Sequence, residues 1–436
     1  MEAPNGIKER ISMLAKGKSA AIFGAGASAK AAKALLEKLG IECAVYAEGS
    51  GKTGGENIYF ESFDKFDPAK HSLVVYSPAF RPDNANIAAA ESAGAVAICE
   101  TDLSALAWRG KIIAVTGTNG KTTTTSFIAH ALASSGIKCV AAGNIGKPLC
   151  AFCAEMEDTS GATAVCELSS FQTSRIKFLR PDALVWTNFA PDHLDWHRDL
   201  REYFEAKFNI VKNLRGKIMC AGESVAKAAS EYSLKLPAFA KIFGENEYPP
   251  CPAPFDSPVQ AQNFILSREI LKAFGLADET IENAAKTFKL PAFRFSKPME
   301  INSVRYYNDS KATNAHAAIA ALKSLSSEKN LIWLGGGKDK FCDLGELVDT
   351  VKKCASGAVL IGQTASKLKP LLADMKLGAH ICGSMDEAVK LCSKLAEKNS
   401  AVLFSPGFSS FGMFDGYAER GKSFEDAVLC LKNLNK

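Results

Sequence analysis

The chain has no run of the roughly 18 uninterrupted apolar residues that a bilayer-spanning helix needs. Its opening, Met1-Glu2-Ala3-Pro4-Asn5-Gly6, shows neither a basic flank nor an apolar stretch behind it. Secretion and membrane insertion are therefore not expected, and a cytoplasmic protein is. Charge of one sign is also scarce: 52 Lys and Arg against 47 Asp and Glu leave +5 over 436 residues. That excess is too small for a dedicated nucleic-acid binder. Close cysteine pairs are limited to Cys150 and Cys153, with no second pair at zinc-ribbon spacing, so a zinc site is not expected. The 13 cysteines are odd in number and mostly lie in apolar segments (Cys99, Cys139, Cys166, Cys220, Cys430), the pattern of reduced, buried thiols. With only 17 prolines and 47% apolar residues the composition is neither disordered nor collagenous. At about 150 residues per domain, the length predicts about three domains.

The order of apolar runs and helical patterns predicts an α/β protein with parallel sheets. Ser19–Gly24 reads as a buried strand, Ser28–Leu39 as a helix, and 41–46 and 72–76 as further strands. At the first strand-to-helix turn stands Gly24-Ala-Gly26-Ala-Ser28-Ala29, where missing side chains allow a phosphate to approach a helix N-terminus. Glu48 follows the second strand, where dinucleotide folds place a ribose-binding acid. A plain tight turn and a solvated acid would read the same way.

A second block is more specific. Lys111–Thr116 is a strand that runs into Gly117-Thr118-Asn119-Gly120-Lys121-Thr122-Thr123 and then a helix through Leu132. Successive backbone N–H groups of such a loop surround phosphate oxygens, Lys121 reaches the terminal phosphates and the Thr122 hydroxyl can ligate Mg2+. The usual first glycine of this pattern is replaced by Val115, which makes the loop a subtype. Strands at 163–167 and 183–187 end on Glu167 and on Asn188-Phe-Ala-Pro-Asp192-His193-Leu-Asp195-Trp-His197. Acids and imidazoles behind a phosphate loop point to metal or phosphate chemistry. A third block resumes the alternation after Leu290-Pro291, with strands in 299–307, 330–334, 358–361 and 401–404 and a helix over 385–398. Three of its strand ends carry small or charged residues, at 308–314, 335–340 and 405–410. They could converge on one sheet edge or be ordinary solvated turns.

Taken together, Thr116–Thr122, Gly143-Asn-Ile-Gly146, Glu167-Leu-Ser-Ser-Phe-Gln172, Asp192–Asp195, Ala206-Lys207 and Asn308-Asp-Ser-Lys-Ala-Thr-Asn314 resemble the Mur ligases over essentially the whole chain. The last heptad resembles the D-glutamate-adding branch. The resemblance implies three domains: a Rossmann-like UDP-sugar domain (1–105), a central P-loop ATPase-like domain (106–296) and a Rossmann-like amino-acid domain (297–436). It implies an ATP-dependent ligase that activates a carboxylate as an acyl phosphate, in peptidoglycan precursor synthesis. ATP, UDP-N-acetylmuramoyl-L-alanine and D-glutamate are then the substrates, two Mg2+ the metals, and a monomer the working state.

By the same resemblance Lys121, Glu167, His193 and Lys207 are catalytic. Thr122, Glu167, His193 and a carbamylated Lys207 hold metal. Gly117 to Thr123 bind the ATP phosphates, and Asn263, Arg294 and Asp309 the adenosine. Gly24, Gly26, Ser28, Glu48, Ser77, Asn144, Ser169 and His193 face the UDP-sugar. Lys311, Thr313, Lys340, Ser410 and Phe411 face D-glutamate. Departures from the family pattern are Val259-Gln260 in place of a His-Asn pair, Gly412 in place of an aspartate, and a choice between Lys338 and Lys340. Hinges for domain closure are expected at 102–110 and 295–299. Another Mur-type or a folylpolyglutamate synthetase-like ligase is the alternative; an oxidoreductase built on the Gly24 turn would leave the second phosphate loop unexplained.

Overall fold

The computed structural model describes residues 6–48, 51–52, 59–244, 248–295, 297–339 and 343–432. Among these the strands form three six-stranded sheets. The first contains β1 (Ser19–Phe23), β2 (Cys43–Ala47), β3 (Gly51–Lys52), β4 (Tyr59–Ser62), β5 (His71–Tyr76) and β6 (Val96–Cys99), in the order β3-β4-β2-β1-β5-β6. The second contains β7 (Lys111–Thr116), β8 (Cys139–Gly143), β9 (Thr163–Glu167), β10 (Ala183–Trp186), β11 (Met219–Gly222) and β12 (Lys241–Phe243), in the order β12-β11-β10-β7-β9-β8. The third contains β13 (Met299–Ile301), β14 (Val304–Asn308), β15 (Leu331–Gly335), β16 (Gly357–Leu360), β17 (Ala379–Ile381) and β18 (Ala401–Phe404), in the order β13-β14-β18-β15-β16-β17. Pairing is parallel except for β3 with β4 and β13 with β14.

The central strands are continuous apolar runs because helices cover both faces of each sheet. In β15, Leu331 and Trp333 enter one apolar cluster while Ile332 and Leu334 enter another, the period-two alternation of a sheet buried on both sides. Helices start where the sequence supplies caps. Ser169 accepts the N–H of Gln172 while the Gln172 side chain accepts the N–H of Ser169, a capping box. Asn314 accepts the N–H of Ala317 at 2.9 Å and caps the helix Ala315–Ser324. The strand pattern expected over 299–307 is a hairpin, turned by Asn302 and Ser303, both at positive φ (55° and 61°).

Two compact units are present. One comprises Met1–Phe189, Arg201–Pro249 and Gln262–Phe288, with the first two sheets; the other comprises Ala190–Leu200, Pro250–Ala261 and Lys289–Lys436, with the third. In the first unit, Ile22, Leu36 and Leu73 share one apolar cluster with Ile112, Leu184 and Trp186 of the second sheet.

The connector expected as a hinge at 102–110 begins instead within a helix, Glu100–Ala107. Buried Asp102 accepts the backbone N–H groups of Lys177, Phe178 and Leu179 at 2.8 to 2.9 Å, and Glu100 accepts that of Cys150 at 2.9 Å. Hydrogen bonds to a buried carboxylate are the strong kind, and four of them fix this segment in its unit. The cysteine pair lies in the same region. Cys150 and Cys153 sit buried in the helix Leu149–Glu155 and donate to the carbonyls of Glu100 and Ser104. Burial pushes the Cys153 thiol up to about 12, which makes it unreactive. Cys430 departs from the expected burial and is exposed. The buried stripe of its helix, Tyr417–Cys430, runs through Arg420, Phe424, Ala427 and Val428, and the next position in phase is Leu431.

Candidate active site

In the first sheet, β1 lies between β2 and β5 and is parallel to both, so the chain leaves β1 in one direction and returns on its other side. Ligands of open α/β sheets bind beyond the strand ends at such a point. Gly24 follows β1, Glu48 follows β2 and Ser77 follows β5, so all three lie on that edge. Gly24 has φ +107°, and a Cβ there would stand 3.2 Å from the Ser77 Cβ. Gly26 caps the helix Ala27–Lys38, Ser28 lies in its first turn, and Glu48 is exposed.

The second sheet builds the phosphate loop after its central strand β7, flanked by β9 and β10. Gly117 (φ +145°) and Gly120 (φ +82°) allow the tight turn, and both are closely packed. A Cβ on Gly117 would lie 1.9 Å from Thr187 Oγ1, and one on Gly120 would lie 2.2 Å from Asn263 Oδ1. The loop is braced by β10: Thr118 N–H donates to Asn188 O at 3.0 Å and Asn119 N–H to Asn188 Oδ1 at 2.9 Å. The helix Lys121–Ser134 begins at Gly120, so its first N–H groups, those of Lys121, Thr122 and Thr123, lie at the loop. Asn263 is buried against this loop, where Thr124 Oγ1 donates to its Oδ1.

Two amines share a loop carbonyl here, and an acid ends the neighbouring strand β9, opposite Val115. Lys121 Nζ folds back on the carbonyls of Gly117 and Thr118 at 2.9 and 2.8 Å. Lys207, buried in the helix Leu200–Lys212, donates to the same Gly117 carbonyl at 2.9 Å and stands 4.9 Å over the Tyr203 ring. Glu167, the last residue of β9, is buried; its Oε1 accepts from Asn144 Nδ2 at 2.9 Å and its Oε2 has no hydrogen-bond partner among the described residues. A buried carboxylate oxygen left unmatched is costly unless a cation meets it. This fits Mg2+, which takes one or two carboxylates and fills its other positions with water and substrate phosphates. No three of His, Cys, Asp and Glu cluster among the described residues. Asn144 thus holds the carboxylate, and Ser169, as described, is engaged in its capping box.

In the other unit the three strand-end loops do emerge together, because β14, β18 and β15 are adjacent and parallel. Asp309 N–H donates to Phe404 O, Gly336 N–H to Pro406 O and Lys338 N–H to Ser409 O, which laces 308–314, 335–339 and 405–410 into one surface. Lys311 Nζ stands 3.9 Å over the Tyr417 ring and Thr313 is half-buried. Ser410 is buried, Phe411 is exposed, and Lys340 lies outside the described residues. Gln260, at the site of a family departure, donates to the Arg294 carbonyl. His193 also belongs to this unit, with φ 57°.

A residue that sequence reasoning missed ties these loops. Arg420 is buried, and its guanidinium donates to Ser310 Oγ (3.1 Å), Ser310 O (2.8 Å) and Phe408 O (2.9 Å). Nothing in an Arg-Gly-Lys run inside an amphipathic helix signals this; only the third dimension does.

Asp309 accepts from Ser405 Oγ at 2.8 Å, and its burial pushes the carboxyl up to about 7 despite the attraction of Arg294 and Arg420. Desolvation likewise brings Arg420 down to about 10. The sign for Asp309 follows directly. Between its ordinary value of 3.8 and about 7 the folded protein keeps a proton that the unfolded chain has released, so this group subtracts stability as pH rises through that window. Asp309→Asn keeps the acceptor and cannot ionise. Melts at pH 5 and pH 8 should show the variant gaining on the parent as pH rises; a gap that stays the same between the two would mean that Asp309 is already ionised at pH 5, held so by its arginines.

Residues 115–245 match the Mur ligase middle domain, and residues 294–408 the Mur ligase glutamate ligase domain. A protein of Lachnospira eligens named UDP-N-acetylmuramoylalanine--D-glutamate ligase is 31% identical over 452 residues, covering 95% of this chain and 99% of that protein. One of the same name from Aquifex aeolicus is 31% identical, with 93% and 97% covered. Among solved structures, the UDP-N-acetylmuramate-alanine ligase of Thermotoga maritima superposes with a TM-score of 0.61 at 18% identity, covering 95% of this chain and all of that one. The MurF ligase of the same organism, solved with ADP, gives 0.59 at 15%, with 85% and 100% covered. The two structures agree in fold, the domain matches fall on the sheets that carry the phosphate loop and the laced loops, and the sequence relatives align over nearly their full length: the chain belongs to the Mur ligase family.

Proposed function

We propose that the protein is an ATP-dependent amide ligase that joins D-glutamate to UDP-N-acetylmuramoyl-L-alanine, in the cytoplasm, during peptidoglycan precursor synthesis. Relatives that carry this activity in their names align over most of their length, and the buried Glu167 Oε2, at the end of the strand beside the phosphate loop's own, gives the reading its chemical support. Joining a carboxylate to an amine in water is uphill, so ATP phosphorylates the acceptor carboxylate. The amine of D-glutamate then attacks the acyl phosphate, a tetrahedral intermediate forms, and phosphate leaves.

Phosphoryl transfer asks the protein for position and charge compensation rather than covalent help. The N–H groups of residues 117–123 and the Lys121 ammonium bind the ATP phosphates. Thr122, Glu167, His193 and Lys207 would hold Mg2+ at two sites, where the metal neutralises phosphate charge. Lys207 does so as a carbamate. Two amines donating to the one Gly117 carbonyl crowd two cations, and that crowding is relieved when one amine becomes an anion.

Asn263, Arg294 and Asp309 bind adenosine. The UDP-sugar is bound by the 1–105 domain through Gly24, Gly26, Ser28, Glu48 and Ser77, with Asn144, Ser169 and His193 nearer its reacting end. Lys311, Thr313, Lys340, Ser410 and Phe411 bind D-glutamate, whose two carboxylates suit cations and hydroxyls. The protein acts as a monomer. Mass spectrometry of the reaction tests the reading: the UDP-sugar peptide should gain one glutamate residue from the D isomer. Extension of a folate instead would assign the chain to the other ligase branch.

A further inference from the structure

His193 sits in the left-handed region at φ 57°, which a non-glycine residue holds only when its surroundings impose it. The restraint is visible in the residue before it. Buried Asp192 accepts the N–H of His193 on Oδ1 at 2.8 Å, and accepts Asn314 Nδ2 on Oδ2 at 2.9 Å. The His193 imidazole Nε2 stands 3.7 Å from the same Oδ2. On the far side, the His193 carbonyl accepts the N–H groups of Trp196 and His197 at 3.0 and 2.9 Å. Asn314 is itself fixed, because its Oδ1 caps the helix Ala315–Ser324. One amide side chain thus uses its acceptor to start a helix and its donor to hold the carboxylate that shapes the His193 turn.

We propose that Asn314, acting through Asp192, is a positioning residue for the His193 imidazole, so that the last residue of the D-glutamate heptad also sets the geometry of a metal-binding histidine. The inference rests on the reading of His193 as a metal ligand. Its consequence is that the amino-acid loop and the metal site are built on one hydrogen-bonded chain, Asn314 to Asp192 to His193. Outer partners that orient a ligand typically change metal affinity or activity by about 10- to 100-fold when removed.

Asn314→Ser separates the two tasks, since a serine oxygen still caps a helix but is too short to bridge to Asp192. The thermal midpoint should stay within a few degrees of the parent. Mn2+ binding, followed by electron paramagnetic resonance with a non-hydrolysable ATP analogue and the UDP-sugar peptide present, should weaken at one site by about tenfold. In turnover the half-saturating Mg2+ should rise by a similar factor, with the KM for D-glutamate changed less than about twofold. His193→Ala sets the ceiling, and Asn314→Ser added to it should change Mn2+ binding no further. Unchanged Mn2+ affinity in Asn314→Ser, or a full additional loss in the double variant, would overturn the proposal. If His193→Ala binds Mn2+ as the parent does, the ligand reading of His193 has failed instead.

Discussion

Lys121→Ala should abolish turnover, with kcat reduced by about 1,000-fold or more, while the protein stays folded. The magnitude follows from the reaction: a group that meets charge developing on a transferring phosphoryl group in a water-poor site contributes several kcal/mol to the transition state. The folded state loses much less, because Lys121 Nζ donates to the loop carbonyls of Gly117 and Thr118 rather than filling a core, and the residue lies in the first turn of its helix, where alanine is the best helix former. Steady-state kinetics beside a thermal melt separates the two. A variant that keeps a tenth of the parental kcat would place the transferring phosphate elsewhere.

The second large effect is expected at Lys207. Truncation to alanine removes a buried side chain that spans from the helix Leu200–Lys212 to the Gly117 carbonyl, and with it the carbamate that would hold metal. Activity should fall by about 100-fold or more, on the scale of losing a metal ligand or its support. A small carboxylate entering the space left beside Tyr203 would supply the oxygens of the missing carbamate, so acetate or formate should restore part of the activity. Lys207→Arg is the sharper control: it keeps the cation and the hydrogen bond but cannot be carbamylated, and it should be as inactive as the alanine variant without being rescued. Activity in Lys207→Arg comparable to the parent would rule out a required carbamate. A stability loss of about 2 to 4 kcal/mol in the alanine variant is also expected from the cavity and the lost hydrogen bond, and denaturant melts measure it apart from catalysis.

Much of this was legible in the chain because strands buried on both faces announce themselves as apolar runs. Lys111–Thr116, Thr163–Glu167 and Ala401–Phe404 begin and end where composition says they should. The phosphate loop was equally plain, since its glycines are demanded by φ and by the Thr187 and Asn263 side chains packed against them. Strands without such a run escaped notice. Met219–Gly222 reads Met-Cys-Ala-Gly, with no β-branched or aromatic residue, and Lys241–Phe243 is an exposed edge of three, so neither carries a usable strand signal.

Sequence also misplaces what depends on distant partners. Residues 190–200 follow a strand of the second sheet, yet they pack in the unit of the third, and the bond from Asn314 to Asp192 spans 122 positions. Arg420 and Asp102 illustrate the same limit. Each is a charged residue inside a helix, which normally means a solvated face, and each is buried because backbone groups far along the chain converge on it. Lys207 belongs with them: the pattern Ala206-Lys207 gains meaning from family resemblance, and its burial is apparent only from the fold.

The most direct test of the account is phosphate release from ATP by the purified protein, measured with each substrate alone and in combination. Sustained release should require UDP-N-acetylmuramoyl-L-alanine and D-glutamate together, and should be absent with L-glutamate in place of the D isomer. Release that proceeds with L-glutamate or a folate, but not with this pair, would contradict it.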